Sequence, residues 1–244
     1  MQNIRPAINY LKFLNHVTAG LMQGQSASLM RGDPSSEHVS IVSPGPLVSP
    51  VRLVGIVFAR PSSPLAKSEI IPALADWHHR SGDHIDFFFP GYHQHALLPG
   101  FIPVEIPGMG TWGYSPEIFN NFRQEIESKT KWQYSGACDL LLTNARIDSS
   151  TQEAEIDFGS TIVCQIESMK EDKAIPSVER FFESIFRFAE SAGNLDPTWG
   201  FSDEQGLSVA GSALKRVVLS LLPTNLDADY RKAQHFAIRD VAIT

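Results

Sequence analysis

Cysteine is scarce in this sequence, and the lack of closely spaced cysteine pairs excludes several kinds of metal and redox site. Cys138 and Cys164 are the only cysteines among 244 residues, and no CxxC pair occurs. Zinc ribbons and dithiol redox motifs are therefore excluded, and two cysteines cannot build a disulfide framework. Free thiols suit a reducing compartment, so we expect a cytoplasmic protein.

Positive charge is also in short supply. The chain carries 20 Lys and Arg against 27 Asp and Glu, a formal net charge of −7, and has no run of basic residues. Without a basic footprint, neither nucleic acid nor an anionic membrane surface is an expected partner. No apolar stretch approaches the roughly 20 residues that a membrane-spanning helix needs. The N-terminal segment, interrupted by Pro6, Asn9 and Lys12, does not resemble a secretory signal.

The common phosphate-binding and nucleophile motifs are missing as well. The sequence has no Walker A motif, no G-x-G-x-x-G and no G-x-S-x-G. The glycine-rich run GMGTWG at 108–113 follows no predicted strand and opens no predicted helix, so it does not indicate a phosphate site. We therefore expect no nucleotide or other cofactor; the alternative is a divalent metal ion at one of the clusters described below.

What the sequence does contain is an alternation of apolar strands and amphipathic helices. Strands are predicted where β-branched and aromatic residues form short runs, at 51–59, 84–89, 138–145 and 161–168. Helices are predicted where apolar residues recur every three or four positions, at 67–82, 116–129 and 176–193. Ser68 is the candidate N-cap of the first helix, and Ser115 followed by Pro116 marks the start of the second. The pattern predicts an α/β fold with a mixed four- to five-stranded sheet and flanking helices.

Composition divides the chain into three parts. Residues 1–50 combine a predicted helix at 4–22 with an arm rich in Ser, Gly and Pro. Residues 51–193 form the predicted α/β core, in which the proline- and glycine-rich segment 90–114 is expected to be a loop. Residues 194–244 form a C-terminal extension packed on the core, with helices predicted at 206–222 and 227–239.

From residue 51 the predicted elements run β-α-β-α-β-β-α. This order resembles that of a thioredoxin-like domain over roughly 51–193, as a resemblance of pattern only. Where that family places its redox pair, after the first strand, this chain has Pro61, Ser62, Ser63 and Pro64. The proline that the family places before its third strand is also missing. The resemblance thus implies the fold without the dithiol chemistry, which requires a thiolate.

Histidines crowd one stretch of the core. Residues 76–95 hold five of the eight histidines. His93 and His95 form an HxH pair, which on a strand places both imidazoles on one face for a shared metal ion. His84 or Asp86 would complete such a ligand set. In the alternative interpretation, a helix end, a strand and a loop bring these residues near one another without ligation.

A second acidic pattern lies further along the chain. Asp139 opens a predicted strand, and Glu155 and Glu167 follow near the next one. This resembles a PD-(D/E)xK nuclease core, which implies a divalent cation held by Asp139 with Glu167 or Glu155 as its acidic partner. That family has a lysine two residues after the second carboxylate, whereas this chain has Met169 there and Lys170 one position late. In the alternative interpretation Asp139 ends a loop and Glu167 is solvated.

Aromatic residues in two predicted loops suggest a partner. Trp112, Tyr114, Trp199 and Phe201 lie in Gly- and Pro-containing segments, where aromatics either anchor a protein interface or pack onto their own domain. With the N-terminal arm, they lead to the hypothesis of a non-catalytic protein-binding or scaffold subunit of a cytosolic assembly, whose partner is another protein. The competing hypothesis is a metal-dependent hydrolase that uses the histidine cluster or the acidic cluster.

Overall fold

Nine strands and five α-helices are found in the described part of the chain. The computed structural model describes residues 4–7, 10–29, 52–81, 85–94, 100–148, 151–171, 173, 175–195 and 236–238. The strands are β1 Ile4–Ala7, β2 Arg52–Phe58, β3 Ile85–Pro90, β4 Tyr92–His93, β5 Ile102–Ile106, β6 Gly110–Tyr114, β7 Asp139–Ile147, β8 Ala154–Gln165 and β9 Phe236–Ile238. The α-helices are α1 Tyr10–Leu29, α2 Ile71–Arg80, α3 Pro116–Lys129, α4 Ile166–Glu171 and α5 Val178–Leu195, with a π-helical turn, Ala66–Ile70, before α2.

Six of the strands form one mixed sheet in the order β1-β3-β2-β7-β8-β9. The strands β1, β3 and β2 run parallel, and β7, β8 and β9 each run antiparallel to the preceding neighbour. The predicted α/β class, with a mixed sheet and flanking helices, is confirmed. The short strands β1 and β9 extend the sheet at its two edges. Along the chain the core elements follow the predicted order, with β4 to β6 inserted before α3.

Helices cover both faces of this sheet. Phe13 of α1 meets Phe88 of β3 edge-on, with ring centroids 4.7 Å apart. The neighbouring Phe87 points to the other face, because side chains alternate along a strand, and there its ring lies 5.5 Å from that of Phe182 in α5. All residues of β3 are buried, as expected for a parallel strand between two helical layers. Of the helices that the structure describes, none has the length and apolarity needed to cross a membrane.

The predicted helix at 4–22 is wrong over its first residues. Residues 4–7 form β1, which pairs in parallel with β3 and places Ile4 beside Phe87. Among the described strands, β1 lies at the edge of the sheet, which is the position in which a sheet tolerates proline. The helix α1 then begins at Tyr10 and continues to residue 29, into the predicted arm. The rest of the arm, 30–50, lies outside the described residues.

The start of the first core helix also differs from the prediction. Ser63, rather than Ser68, caps it: the Ser63 Oγ accepts a hydrogen bond from the Ala66 N–H at 3.3 Å. Helical backbone begins at Pro64, which suits a first turn because its missing N–H would have no partner there. Ser68 lies inside the π-helical turn. The prediction was wrong because Ser63 stands before a proline in a segment that composition alone marks as a loop.

The segment 90–114 is not a loop throughout. Within it β4, β6 and β5 form a separate three-stranded antiparallel sheet, in that order. Gly91 connects this sheet to β3 with a φ of +85°, and a Cβ there would approach the Phe119 Cβ to 2.9 Å. The hydroxyl of Tyr92 donates to the carbonyl of Ala59 at 3.0 Å and joins the small sheet to the end of β2. These strands were not predicted, because segments rich in proline and glycine usually form loops.

Near the C-terminus the structure confirms one helix and corrects two boundaries. The predicted helix at 176–193 is present as α5, whereas the strand predicted at 161–168 ends at Gln165 and is followed by α4. Residues 236–238 form β9, which pairs with β8, so the helix predicted at 227–239 is wrong for these three residues. The backbone pairing of residues 236–238 with β8 stabilises a strand there, although the apolar spacing of this segment is typical of a helix. The helix predicted at 206–222 lies outside the described residues.

Candidate ligand-binding groove

A groove opens beyond the carboxyl end of β2, between the residues that follow this strand and the strand β5. Its volume is about 790 Å³. Its walls come from the segment 60–62, the first helical turns around α2, the strand β5 and the start of α3. In an α/β sheet the crevice outside the carboxyl ends of the strands is the general location of ligand sites. The side chains around this groove are therefore the first candidates for a functional site.

The groove has an apolar wall and a small set of polar groups. Five prolines and three aliphatic residues make up the wall. The polar residues are Arg60, Ser62, Lys67, Glu105, Tyr114 and Asn120. The Glu105 carboxylate already accepts a hydrogen bond from the Thr111 hydroxyl at 2.5 Å. A mostly apolar cavity with a few convergent polar groups is typical of a small-ligand or peptide site.

The guanidinium group of Arg60, which lines the groove, is held in place by two aromatic rings and one amide. Its guanidinium carbon lies 5.1 Å from the ring centroid of Phe119 and 5.5 Å from that of Tyr134, both within cation–π range. Its Nη2 donates to the Asn120 Oδ1 at 3.4 Å. No carboxylate of the described residues forms an ion pair with Arg60. The two rings pack against the guanidinium, and its charge stays uncompensated by carboxylates of those residues.

Tyr114, the last residue of β6, places a hydroxyl in the same region. The residue is only 4% exposed, and among the described residues its hydroxyl has no hydrogen-bond partner. Burial raises the pKa of Tyr114 to about 12, although the nearby Arg60 acts in the opposite direction. The hydroxyl is therefore a neutral hydrogen-bond donor at physiological pH. A buried polar group without a partner is an exception that calls for an explanation, and a bound ligand would supply one.

The sequence around α3 explains how this end of the groove is positioned. The Ser115 Oγ accepts a hydrogen bond from the Ile118 N–H at 3.2 Å, and Pro116 is the first helical residue. This confirms both the predicted N-cap and the predicted helix at 116–129. The Ser115 N–H donates to the Gly91 carbonyl, which ties the helix start to the small sheet. The capped first turns thus set the positions of Phe119 and Asn120, the two α3 residues that contact Arg60.

The position that would hold a redox pair in a thioredoxin-like domain has a different chemistry here. The Ser63 Oγ lies 3.3 Å from the Sγ of Cys138. Burial raises the pKa of Cys138 to about 11, and the charges of Glu167 and Asp139 act in the same direction. The thiol is therefore protonated at neutral pH, and a protonated thiol is not the nucleophile in disulfide exchange.

The three acidic residues predicted as a nuclease site are only partly brought together. Asp139 and Glu167 both lie close enough to Cys138 to raise its pKa. Glu155 pairs with Arg146 near the other end of the β7–β8 hairpin, about 24 Å from Asp139 by the rise of a strand. Glu155 and Asp139 therefore cannot share one cation, which corrects that pairing.

Asp139 and the lysine near Glu167 have structural partners. The buried Asp139 carboxylate accepts hydrogen bonds from the Trp132 indole N–H at 3.2 Å and the Ser135 backbone N–H at 2.9 Å. Lys170, the displaced lysine of the nuclease pattern, forms an ion pair with Glu69 of the π-helical turn. Glu167 is half-buried at the start of α4, where burial raises its pKa.

The predicted histidine site is described only in part. The Asp86 carboxylate is buried and its Oδ2 lies 2.6 Å from the Nε of Arg52, so it serves an ion pair inside the fold. His93 lies in β4, with its ring 6.0 Å from that of Phe101. His84 and His95 lie outside the described residues. Within the described ranges no group of three His, Cys, Asp or Glu side chains is close enough to hold a metal ion.

Of the four aromatic residues predicted to bind a partner, two lie in the described part of the chain. Trp112 and Tyr114 lie in β6 and are 3% and 4% exposed, so the expectation that they are loop aromatics is wrong. Their rings pack against the protein's own core, as in the alternative interpretation. Trp199 and Phe201 lie outside the described residues.

Arg60 was missed by the sequence-based reasoning. A detectable signal was present, because an arginine in the sequence ARPSSP follows the first strand of a β-α-β unit, at the edge where ligands bind. Tyr114 was singled out, but as an exposed anchor. The convergence of these two residues has no local sequence signature, because it depends on how the small sheet packs against the main one.

Comparison of the chain with family models, curated proteins and solved structures gives no match. The geometry therefore defines the protein by class alone. It is an α/β protein with helices on both faces of a mixed sheet and a groove beyond the carboxyl end of its first core strand.

Proposed function

We propose that this chain is a binding protein whose groove takes a ligand with an anionic head and an apolar body. The proposal depends on one observation: the uncompensated guanidinium of Arg60 lies near the buried, unpartnered hydroxyl of Tyr114, at one end of a largely apolar cavity. A carboxylate or phosphate would accept hydrogen bonds from both groups. Arginine is well suited to this task, because its planar fork matches the two oxygens of such an anion.

The apolar wall supports the second half of the proposal. A ligand that fills about 790 Å³ beside proline and aliphatic side chains removes apolar surface from water, which supplies most of the affinity in sites of this kind. The charged head then fixes the orientation of the ligand. The predicted role, a non-catalytic protein-binding or scaffold subunit, stays a prediction.

The test compares an acid with its uncharged analogue. In a ¹H–¹⁵N NMR titration, sodium phenylacetate is expected to shift the amide signals of β5 and of residues 115–120. Phenylacetamide should bind at least about tenfold more weakly, because a hydrogen bond to a charged group contributes about 1.5–3 kcal/mol. Phenyl phosphate, as a second anionic probe, distinguishes a carboxylate site from a phosphate site.

Substitutions of Arg60 and Tyr114 test whether these two residues bind the carboxylate. Arg60→Gln should weaken phenylacetate binding by about tenfold, and Tyr114→Phe by a smaller factor, since it removes a neutral donor. Arg180→Gln is the matched control, because Arg180 is exposed on α5, away from the groove. Equal binding of acid and amide, or unchanged binding by Arg60→Gln, would overturn the proposal.

A further inference from the structure

The strand β5 is an edge strand with an unusual distribution of backbone groups. Among the strands that the structure describes, it pairs with β6 alone. Ile106 faces β6, since its carbonyl accepts from the Met109 N–H in the hairpin turn, so Val104 and Ile102 face β6 as well. Pro103 and Glu105 therefore turn their backbone groups outwards. Along this edge, within the described residues, β5 offers the carbonyl of Pro103 and both the N–H and the carbonyl of Glu105.

The groove runs along this edge, and α2 forms the opposite wall. Ile71 and Pro72 line it from the helix, and Pro103, Glu105 and Pro107 line it from the β5 side. Ile102, which also lines the groove, is 50% exposed, a large fraction for an apolar residue of this size. The five residues of β5 span roughly 14 Å. An extended segment of four or five residues matches this length.

The direction of such a segment follows from the position of the charged end. Ile102, the first residue of β5, is paired with Tyr114, and Tyr114 is close enough to Arg60 for the guanidinium to act on its pKa. The cationic end of the groove is thus at the start of β5. A strand that runs antiparallel to β5 begins beside Ile106 and ends beside Pro103, with its terminal carboxylate near Ile102. Its last residue then reaches Arg60 and the Tyr114 hydroxyl with its terminal carboxylate.

We infer that the groove binds the free carboxyl terminus of a protein partner as an added strand, antiparallel to β5. This inference rests on the proposed function and names its ligand class: an extended, apolar C-terminal segment. Backbone hydrogen bonds to Glu105 supply the strand pairing. The carboxylate on Arg60 sets the register. Pro103 and Pro107 deprive the rest of the edge of N–H donors, which limits pairing to a short segment and protects the edge from aggregation.

The experiment uses a pool of random N-acetylated pentapeptides with free carboxyl termini and the same pool with amidated termini. Both pools are captured by the full chain and read by mass spectrometry. We expect free-carboxylate peptides to be enriched at least about tenfold over amidated ones. The best peptide is then titrated by fluorescence polarisation. Equal capture of the two pools would overturn the inference.

A variant of Glu105 isolates the strand pairing. Glu105→Pro removes the outward N–H without removing a bond to β6, and Glu105→Ala, the matched control, keeps this N–H. We expect Glu105→Pro to bind the peptide about tenfold more weakly than Glu105→Ala does, and the ¹H–¹⁵N spectrum of each variant checks that it is folded. Both variants lose the Glu105 carboxylate, so the comparison between them isolates the backbone N–H. Undiminished peptide binding by Glu105→Pro would contradict strand addition.

A modified peptide provides the same test without altering the protein. With the last residue beside Pro103, the third residue from the carboxyl end faces Glu105. N-methylation of that residue should abolish binding, whereas N-methylation of the second residue from the end should have little effect. If phenylacetate binds and no peptide does, this inference fails and the proposed function stands. If neither probe binds, both fail.

Discussion

At the scale of single residues, burial decides which groups near the groove carry charge. It raises the pKa of Cys138 to about 11 and that of Tyr114 to about 12. Both groups are therefore neutral donors at physiological pH. Arg60 beside them keeps its charge, as arginine does in proteins. In the groove, the Arg60 cation and the neutral Tyr114 hydroxyl together favour an anion that accepts hydrogen bonds.

Asp139 leads to a prediction about pH. Burial raises the pKa of Asp139 above its ordinary value of 3.8, and its hydrogen bonds from Ser135 and Trp132 offset this only in part. The folded protein therefore holds this proton to higher pH than the unfolded chain does. The contribution of Asp139 to stability is greatest below the unfolded value and decreases as the pH rises through the folded value.

Asp139→Asn should remove that pH dependence. The stability of the variant relative to the unaltered chain should increase as the pH rises from about 3 to about 7, when measured by urea denaturation at each pH. Glu155→Gln is the control, because its exposed ion pair with Arg146 contributes little. An NMR titration that places the Asp139 pKa below 3.8 would refute the assignment.

At the scale of elements, α3 is the helix on which the groove depends most. Its first turns carry Phe119 and Asn120, which contact Arg60. The Ser115 side chain satisfies the N–H of Ile118, one of the donors that the start of any helix leaves without an internal partner. The quality of this cap therefore contributes to the stability of the helix and to the position of Arg60.

Ser115→Ala should lower the free energy of unfolding by about 1 kcal/mol. The variant leaves the helix start without a side-chain acceptor, and urea denaturation measures the loss. Ser128→Ala is the matched control in the same helix, since Ser128 is exposed and its hydroxyl donates to the Glu125 carbonyl. Ser115→Asp should retain most of the stability. A loss from Ser128→Ala as large as that from Ser115→Ala would show that the cap is not the cause.

At the scale of the whole molecule, a buried ion pair joins α1 to the sheet. Arg52 and Asp86 lie on the neighbouring strands β2 and β3, with 13% and 0% of their side chains exposed. The Arg52 Nη1 donates to the carbonyl of Gly20 in α1 at 3.4 Å. A Cβ on Gly20 would lie 3.0 Å from the Asp86 Oδ2. The helix thus packs directly on the pair.

Removing one partner of this pair should be costly. Asp86→Asn leaves the Arg52 charge buried without a counter-ion, so we expect a loss of about 3–5 kcal/mol in the free energy of unfolding. The double variant Arg52→Met with Asp86→Leu should recover much of the loss, because an apolar pair needs no desolvation of charge. A loss below about 1 kcal/mol for Asp86→Asn would contradict the structural role of the pair.

The same variant bears on the predicted metal site. If Asp86 serves the ion pair, the loss caused by Asp86→Asn should be equal in the presence of zinc and of a chelator. A loss that appears only with zinc present would favour ligation by Asp86. The metal-dependent hydrolase itself stays a prediction, since His84 and His95 lie outside the described residues.

The sequence by itself determined the alternation of strands and helices in the core. Each of these elements buries one face or both, and burial leaves a periodic pattern of apolar residues in the sequence. Examples are the strands β2 and β3 and the helices α3 and α5. Ser115 followed by Pro116 is a local signal, so it was predicted correctly.

Only the tertiary structure decided the edges of the sheets and the candidate site. The strand β1 forms because the open edge of β3 accepts it, and the strands β4 to β6 form although proline and glycine interrupt their pattern. Arg60 and Tyr114 approach each other because two separate sheets pack at the end of β2. Such contacts depend on residues far apart in the chain, and no periodicity within one segment encodes them.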